Sequence, residues 1–183
     1  MAREAERTDA QVVRDVLAGD RDAFRLLVRR YGDVMFEHAM RMVGEHDIAT
    51  DLVQDAMVTG YQKLRTCRDR DRIGAWLFRI LANRCRDHLR AARRRPMVSL
   101  DRASDIPSGG VPDEDVARKE TARQLRDALD RITPEQREAF VLKHVEGRSY
   151  EEMAAVMDTS VASLKMRVHR ARESLQPLLA EFR

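Results

Sequence analysis

The chain has 183 residues, 43% of them hydrophobic, with 34 Lys and Arg against 31 Asp and Glu for a net charge of +3 at neutral pH. That length suffices for one ordinary domain or two small ones. Two cysteines are too few for a disulfide framework, no run of about 18 apolar residues offers a membrane span, and the charged start "MAREAERTDA" lacks the apolar core of a signal peptide, so the expectation is a reduced, cytoplasmic protein without membrane insertion.

Ala, Leu, Arg, Glu and Met dominate, glycine and proline are scarce, and β-branched alternation is absent, which predicts an all-α fold. Thr8 with Gln11 forms a capping box for a first helix that stops at Gly19. Asp20 caps the next, with apolar positions at Phe24, Leu27 and Val28, and a break is expected at Tyr31-Gly32 before a third helix ending near Gly44. A fourth helix runs from about Asp47 to Leu64, the charged loop "TCRDRDR" follows, and a fifth runs from about Ile73 to Arg94. Pro96, Pro107, Pro112 and Gly109-Gly110 then interrupt any helical pattern. Residues 96–116 are therefore expected to be a flexible acidic linker between an N-terminal domain, 1–95, and a C-terminal domain, 117–183. In the latter a helix is expected over Val116 to Ile132, a second from the capping box Thr133-Pro134-Glu135-Gln136 to Gly147, and a third from the box Ser149-Tyr150-Glu151-Glu152. Asp158-Thr159 and the N-cap Ser160 lead into a last helix whose buried stripe is Val161, Leu164, Val168, Ala171 and Leu175.

Charge is unevenly spread. Between Arg65 and Arg95 eleven Arg stand against three Asp, and between Ser99 and Val116 five acids stand against one Arg. Two basic blocks around an acidic one predict two contacts with a polyanion. The last two helices and their three-residue turn form a helix-turn-helix, whose second helix would enter the major groove. It offers Ser163, Met166, Arg167 and Arg170 opposite the stripe, with Lys165 on the flank, and no acid between Ser160 and Arg172. Arg pairs with guanine and Met touches a thymine methyl. On the fifth helix Arg79, Asn83, Arg86, Arg90 and Arg93 make a second row, in which Asn83 alone is neutral and can both donate and accept at a base edge. Trp76 is expected in the core. On the fourth helix Asp47, Asp51 and Asp55 recur every four residues with Gln54 between them, an acidic ridge suited to a basic protein partner. Each row has a plainer reading as a solvated face. No glycine-rich phosphate loop or His-Glu-x-x-His is present, and Cys85 with His88 is too small a set for zinc. No enzyme activity, metal or cofactor is expected. A nuclease would need more than Asp69 and Asp71 beside the basic faces.

"DLVQDAM", "AWLFRILANRCRDHLR", "LDRITPEQREAFVLKHVEGRSYEEMAAVM" and "SVASLKMRVHRAR" together resemble the extracytoplasmic-function sigma factors, the minimal branch of the bacterial sigma-70 superfamily. The resemblance covers nearly the whole chain. It implies a region-two-like domain whose Asp51, Gln54 and Asp55 dock on core RNA polymerase and whose Arg79, Asn83, Arg86 and Arg90 recognise and melt the minus-ten element. It implies a region-four-like domain whose Ser163, Lys165, Met166, Arg167 and Arg170 read the minus-thirty-five element, and an anti-sigma factor as a further partner. Thr50 stands where the family often has an acid, Tyr61 where a larger aromatic is common, and Asp158 where glycine is common in the turn. The alternative is a stand-alone helix-turn-helix regulator that binds promoter DNA without polymerase.

Overall fold

The computed structural model describes residues 7–94, 124 and 127–180, with side chains to residue 177. The expected linker and the first part of the helix expected from Val116 lie outside the described residues. No strand occurs among the described residues.

The N-terminal half is built of four helices. Helix α1 (Asp9–Leu17) starts at the Thr8 box, where Thr8 Oγ1 accepts from the Gln11 amide at 3.3 Å and the Thr8 amide donates to Gln11 Oε1 at 2.7 Å. It ends before Gly19, whose φ of 114° lies in the region that favours glycine. Asp20 caps a short 3₁₀ turn, Arg21–Ala23, which runs straight into α2 (Phe24–Val43). Asp9 ties α1 to α2 by accepting from Arg30 at 2.6 Å and from the Tyr31 hydroxyl.

The break expected at Tyr31-Gly32 does not exist. Helix α2 continues through Gly32, because the stripe Phe24, Leu27, Tyr31, Met35, His38 and Met42 stays in register across it. Burial of that stripe outweighs the roughly 1 kcal/mol that a glycine costs in a helix. Val28, off the stripe, is exposed. The helix closes at Gly44, with φ 76°.

Helix α3 (His46–Gln62) buries small residues, Ala49, Ala56 and Gly60, along with Met57. A Cβ at Gly60 would run into Cδ2 of Leu77, so glycine there permits the close approach of α3 to α4 (Ile73–Arg94). Between them the "TCRDRDR" segment forms parts of two 3₁₀ turns, Leu64–Thr66 and Arg70–Arg72, around a buried Cys67. Helix α4 is the centre of the molecule. Ile73, Leu77, Phe78, Leu81, Ala82 and Cys85 are buried, and Trp76 is half-buried against the same core.

In the C-terminal half, residues 127–131 are helical and lead to Thr133, whose capping box with Gln136 opens α5 (Pro134–Phe140). A π-helical turn, Val141–Val145, continues it to Gly147, at φ 68°. The Ser149–Glu152 box opens α6 (Tyr150–Met157). Asp158 takes the left-handed conformation, φ 49° and ψ 51°, which Asp tolerates better than most residues. Ser160 Oγ accepts from the Ser163 amide at 3.2 Å, and α7 (Val161–Ala180) follows. Leu164, Val168, Ala171 and Leu175 are buried as their spacing predicts; Val161 is half-buried.

The two halves share one core. Helix α4 packs against α2 and α3 on one side and against α5 and α6 on the other. Ala139, Leu142, Met153, Val156, Met157 and Leu164 belong to the same continuous apolar cluster as Leu27, Met42 and Leu77. A smaller cluster, Ala128, Leu129, Ile132, Ala171 and Leu175, holds the start of the C-terminal half to α7.

Candidate nucleic-acid interface

Helix α3 carries the acidic ridge on its outer side. Asp47, Asp51, Gln54 and Asp55 are all exposed. Asp55 accepts from Arg84 of α4 at 2.9 Å, and Arg84 also donates to Thr59 Oγ1 at 2.6 Å. Asp51 makes no ion pair with the described residues. Val58 and Tyr61, 55% and 38% exposed, extend the same helix with apolar surface. A carboxylate row beside exposed apolar groups suits a basic protein surface and repels DNA.

Helix α7 presents the open basic face. Lys165, Met166 and Arg170 are exposed, Met166 at 53%, while Ser163 and Arg167 are half-buried. The Ser160 cap is one-sided, because Ser163 supplies no carboxylate in return, and the first turn carries no acid. Its amides and the positive end of the helix therefore stay available to an anion. Lys165 Nζ lies 5.8 Å from the Tyr150 ring, which steers that cation toward the start of α6. Arg167 leans inward: its charge acts on the buried Glu138. Of the five expected reading residues, three are exposed and two are half-buried.

The α4 row is placed differently from the open row that its periodicity predicts. Arg86 is buried and donates to Glu138 Oε2. Asn83 is exposed, but its Oδ1 accepts from Arg86. Arg90 donates to Asp87 at 2.8 Å and to Glu135, Arg79 lies 3.3 Å from Asp158, and Arg93 donates to the carbonyls of Asp130, at 2.8 Å, and Ile132. The spacing of the row is as read, and its neighbour is the C-terminal half of the same chain. A row of cations attracts carboxylates as well as phosphates, and periodicity does not distinguish them.

Sequence reasoning missed the residues beneath this contact. His38, fully buried on α2, has Nδ1 2.7 Å from Glu146 Oε1. Arg41 approaches the same carboxylate at 3.5 Å and Arg148 Nε at 3.2 Å. Arg148 lies over the Phe78 ring at 4.6 Å, and Phe78 meets the His38 ring at 4.7 Å. Burial pushes the Glu146 carboxyl up, but the hydrogen bonds and charges of His38 and Arg148 outweigh it and hold the group below its ordinary value. Glu138 goes the other way: burial pushes it up against the opposing charges of Arg86 and His38. Burial likewise pushes the Cys85 thiol up to about 12, with Glu138 adding to the shift and Arg86 and Arg137 opposing it. The one available signal was His38 itself, a histidine on an otherwise apolar stripe. Among the described residues no cluster of three or more His, Cys, Asp or Glu is arranged to hold a metal, and no helix is long and apolar enough to cross a membrane.

The chain is similar to known proteins. The family model for sigma-70 region 2 matches residues 27–95 and that for sigma-70 region 4 matches residues 122–175. The chain is 30% identical to the ECF RNA polymerase sigma-E factor of Haemophilus influenzae, over 94% of this chain and 97% of that one. It is 33% identical to the RNA polymerase sigma-H factor of Pseudomonas aeruginosa and to the ECF RNA polymerase sigma-E factor of Escherichia coli K12, each over 94% of this chain and 96% of the relative. Among solved structures it is similar to CnrH in complex with the cytosolic domain of CnrY, with a TM-score of 0.67 and 31% identity over 94% of this chain and 97% of that one. It is also similar to the sigma factor RpoE of Bartonella quintana in complex with the anti-sigma factor NepR, with a TM-score of 0.61 and 28% identity over 87% and 98%. The chain belongs to the extracytoplasmic-function sigma factors of the sigma-70 family.

Proposed function

We propose that this chain is an alternative sigma factor that binds core RNA polymerase and directs promoter-specific initiation, acting in the cytoplasm by binding and positioning rather than by catalysis. The family supports this, and one observation carries it to the residues: the same chain presents an exposed acidic ridge on α3 and an exposed basic reading face on α7. The first suits a protein partner and the second a duplex. Asp51, Gln54 and Asp55 dock on the polymerase. Ser163, Lys165, Met166, Arg167 and Arg170 read the minus-thirty-five duplex, with the cations releasing counterions and Met166 meeting a base edge. Arg79, Asn83, Arg86 and Arg90 take the minus-ten element once the α4 face is free. An anti-sigma factor is a further partner, by likeness to the Bartonella quintana protein solved with one.

The test is reconstitution of the full chain with core polymerase, followed by sequencing of transcript starts from genomic DNA. A shared pair of upstream elements at the new starts is the expected result. Transcripts no different from those of core enzyme alone would refute the proposal.

A further inference from the structure

Helix α4 carries cations on two sides. Arg79, Arg86, Arg90 and Arg93 reach the C-terminal half across the seam between the halves, while Arg84 faces α3. Residues three and four apart share a helix face, and Arg84 stands five after Arg79 and two before Arg86, so it leaves their row. Its guanidinium is forked between two residues one turn apart on α3. Nη1 donates to Asp55 Oδ2 at 2.9 Å, and Nη2 donates to Thr59 Oγ1 at 2.6 Å. The Arg84 side chain is 34% exposed and that of Asp55 66%, so the cation is tucked in and the carboxylate is presented.

Arg commonly meets a carboxylate with two nitrogens on two oxygens. Here one nitrogen goes to a hydroxyl instead, and among the described residues nothing donates to Asp55 Oδ1. The carboxylate is steadied without being used up. A cation masking the ridge would take both oxygens. Arg84 also offsets the repulsion between Asp55 and Asp51, one turn before it, which makes no ion pair with the described residues.

We propose that Arg84 is a positioning residue for the docking of the α3 ridge on core polymerase: anchored by Thr59, it fixes the Asp55 carboxylate so that Oδ1 meets a cationic side chain of the partner already in place. This rests on the reading of Asp55 as a docking residue given above. A side chain ordered beforehand has less freedom to lose on binding, which is worth about twofold to tenfold in affinity. The same guanidinium has the wrong sign for a basic partner and slows its approach. The two effects fall on different rates, the charge on association and the ordered contact on dissociation.

The experiment measures both rates for the full chain with core polymerase held on a biosensor surface. Arg84→Ala should associate up to about twofold faster and dissociate about fivefold faster than wild type. Thr59→Val removes the second anchor and leaves every charge in place. It should dissociate about twofold to threefold faster with association unchanged, and it decides the matter if Arg84→Ala does not fold. In an Asp55→Ala background there is no carboxylate to position, so adding Arg84→Ala should leave dissociation within about twofold. Circular dichroism and urea midpoints establish that each variant is folded.

Arg84→Ala with slower or unchanged dissociation overturns the proposal and makes Arg84 a competing charge. Thr59→Val with wild-type dissociation overturns it as well. An equal loss in the Asp55→Ala background does the same, because it marks a role confined to the packing of α3 on α4. Asp55→Ala that binds core polymerase like wild type overturns the docking reading of Asp55 itself, and the proposal with it.

Discussion

Glu146 has three basic side chains around one carboxylate: His38 at 2.7 Å, Arg148 at 3.2 Å and Arg41 at 3.5 Å. Because its carboxyl is held below the ordinary value of 4.5, the ionised group stabilises the folded chain above that value. The contribution is lost as the pH falls through the lower, folded value. Glu146→Gln should therefore cost about 2 kcal/mol near neutrality, the worth of hydrogen bonds to a charged group. The gap from wild type should shrink steadily once the pH drops below the ordinary carboxylate range. Urea unfolding midpoints across that range read this directly, and a gap that ignores pH would mean the carboxylate is not ion-paired. Neither Glu146 nor Glu138 was legible as a partner. Glu146 lies 108 positions from His38 and Glu138 lies 52 from Arg86, and no local spacing encodes a contact made by packing α5 and its turn onto the other half.

Helices were more legible than contacts, because their signals are local. The boxes at Thr8, Thr133 and Ser149 each close within three residues, and all three form as read. Helix α4 runs from Ile73 to Arg94, the limits its stripe predicts. The exception is α2, where Gly32 reads as punctuation although the apolar stripe carries on across it. Two glycine substitutions separate these cases. Gly32 has open space where a Cβ would go and no positive φ, so Gly32→Ala should stabilise the chain by up to about 1 kcal/mol. At Gly60 the same gain in helix propensity meets the buried Leu77 side chain, and overpacking of about 1–3 kcal/mol should prevail. Thermal unfolding should move in opposite directions for the two variants; a shared direction would contradict the packing of α3 on α4. On α7, Lys165→Ala and Arg170→Ala open no cavity, since both side chains are exposed. If each grips a phosphate, either variant should weaken holoenzyme binding to every promoter alike and lower the salt slope by about one. A change confined to one base position would instead mark a base contact. Open-complex titrations at several salt concentrations distinguish the two.

At the scale of the molecule, charge is sorted by partner. Acids lie outward on α3, cations outward on α7, and Arg79, Arg86 and Arg90 of α4 are matched by acids of the C-terminal half. The sequence displayed the two basic blocks and the ridge but not this matching, since composition gives the sign of a surface and not its neighbour. The ridge makes a prediction that depends on nothing in the seam. Asp51→Lys with Asp55→Lys should abolish co-purification with core polymerase while leaving helicity unchanged. Both side chains are exposed, and the one ion pair lost, Asp55 with Arg84 at 2.9 Å, is a surface pair worth at most about 1 kcal/mol. Wild-type yield of the complex from the folded variant would remove α3 from the polymerase contact.

Cys85 gives the junction a chemical clock. The thiol is enclosed on α4, and its acidity is shifted by groups on both sides, Arg86 from its own helix and Glu138 and Arg137 from α5. A thiol that neither meets solvent nor ionises cannot attack an aromatic disulfide reagent until the halves part. In a Cys67→Ala background the labelling of Cys85 should follow a single slow phase. With scarce reagent its rate reports the fraction of chains ajar, and with excess reagent it levels off at the rate at which they come apart. Adding core polymerase should then either quicken the plateau, if the enzyme pries the chain open, or leave it fixed, if the enzyme captures chains that opened on their own.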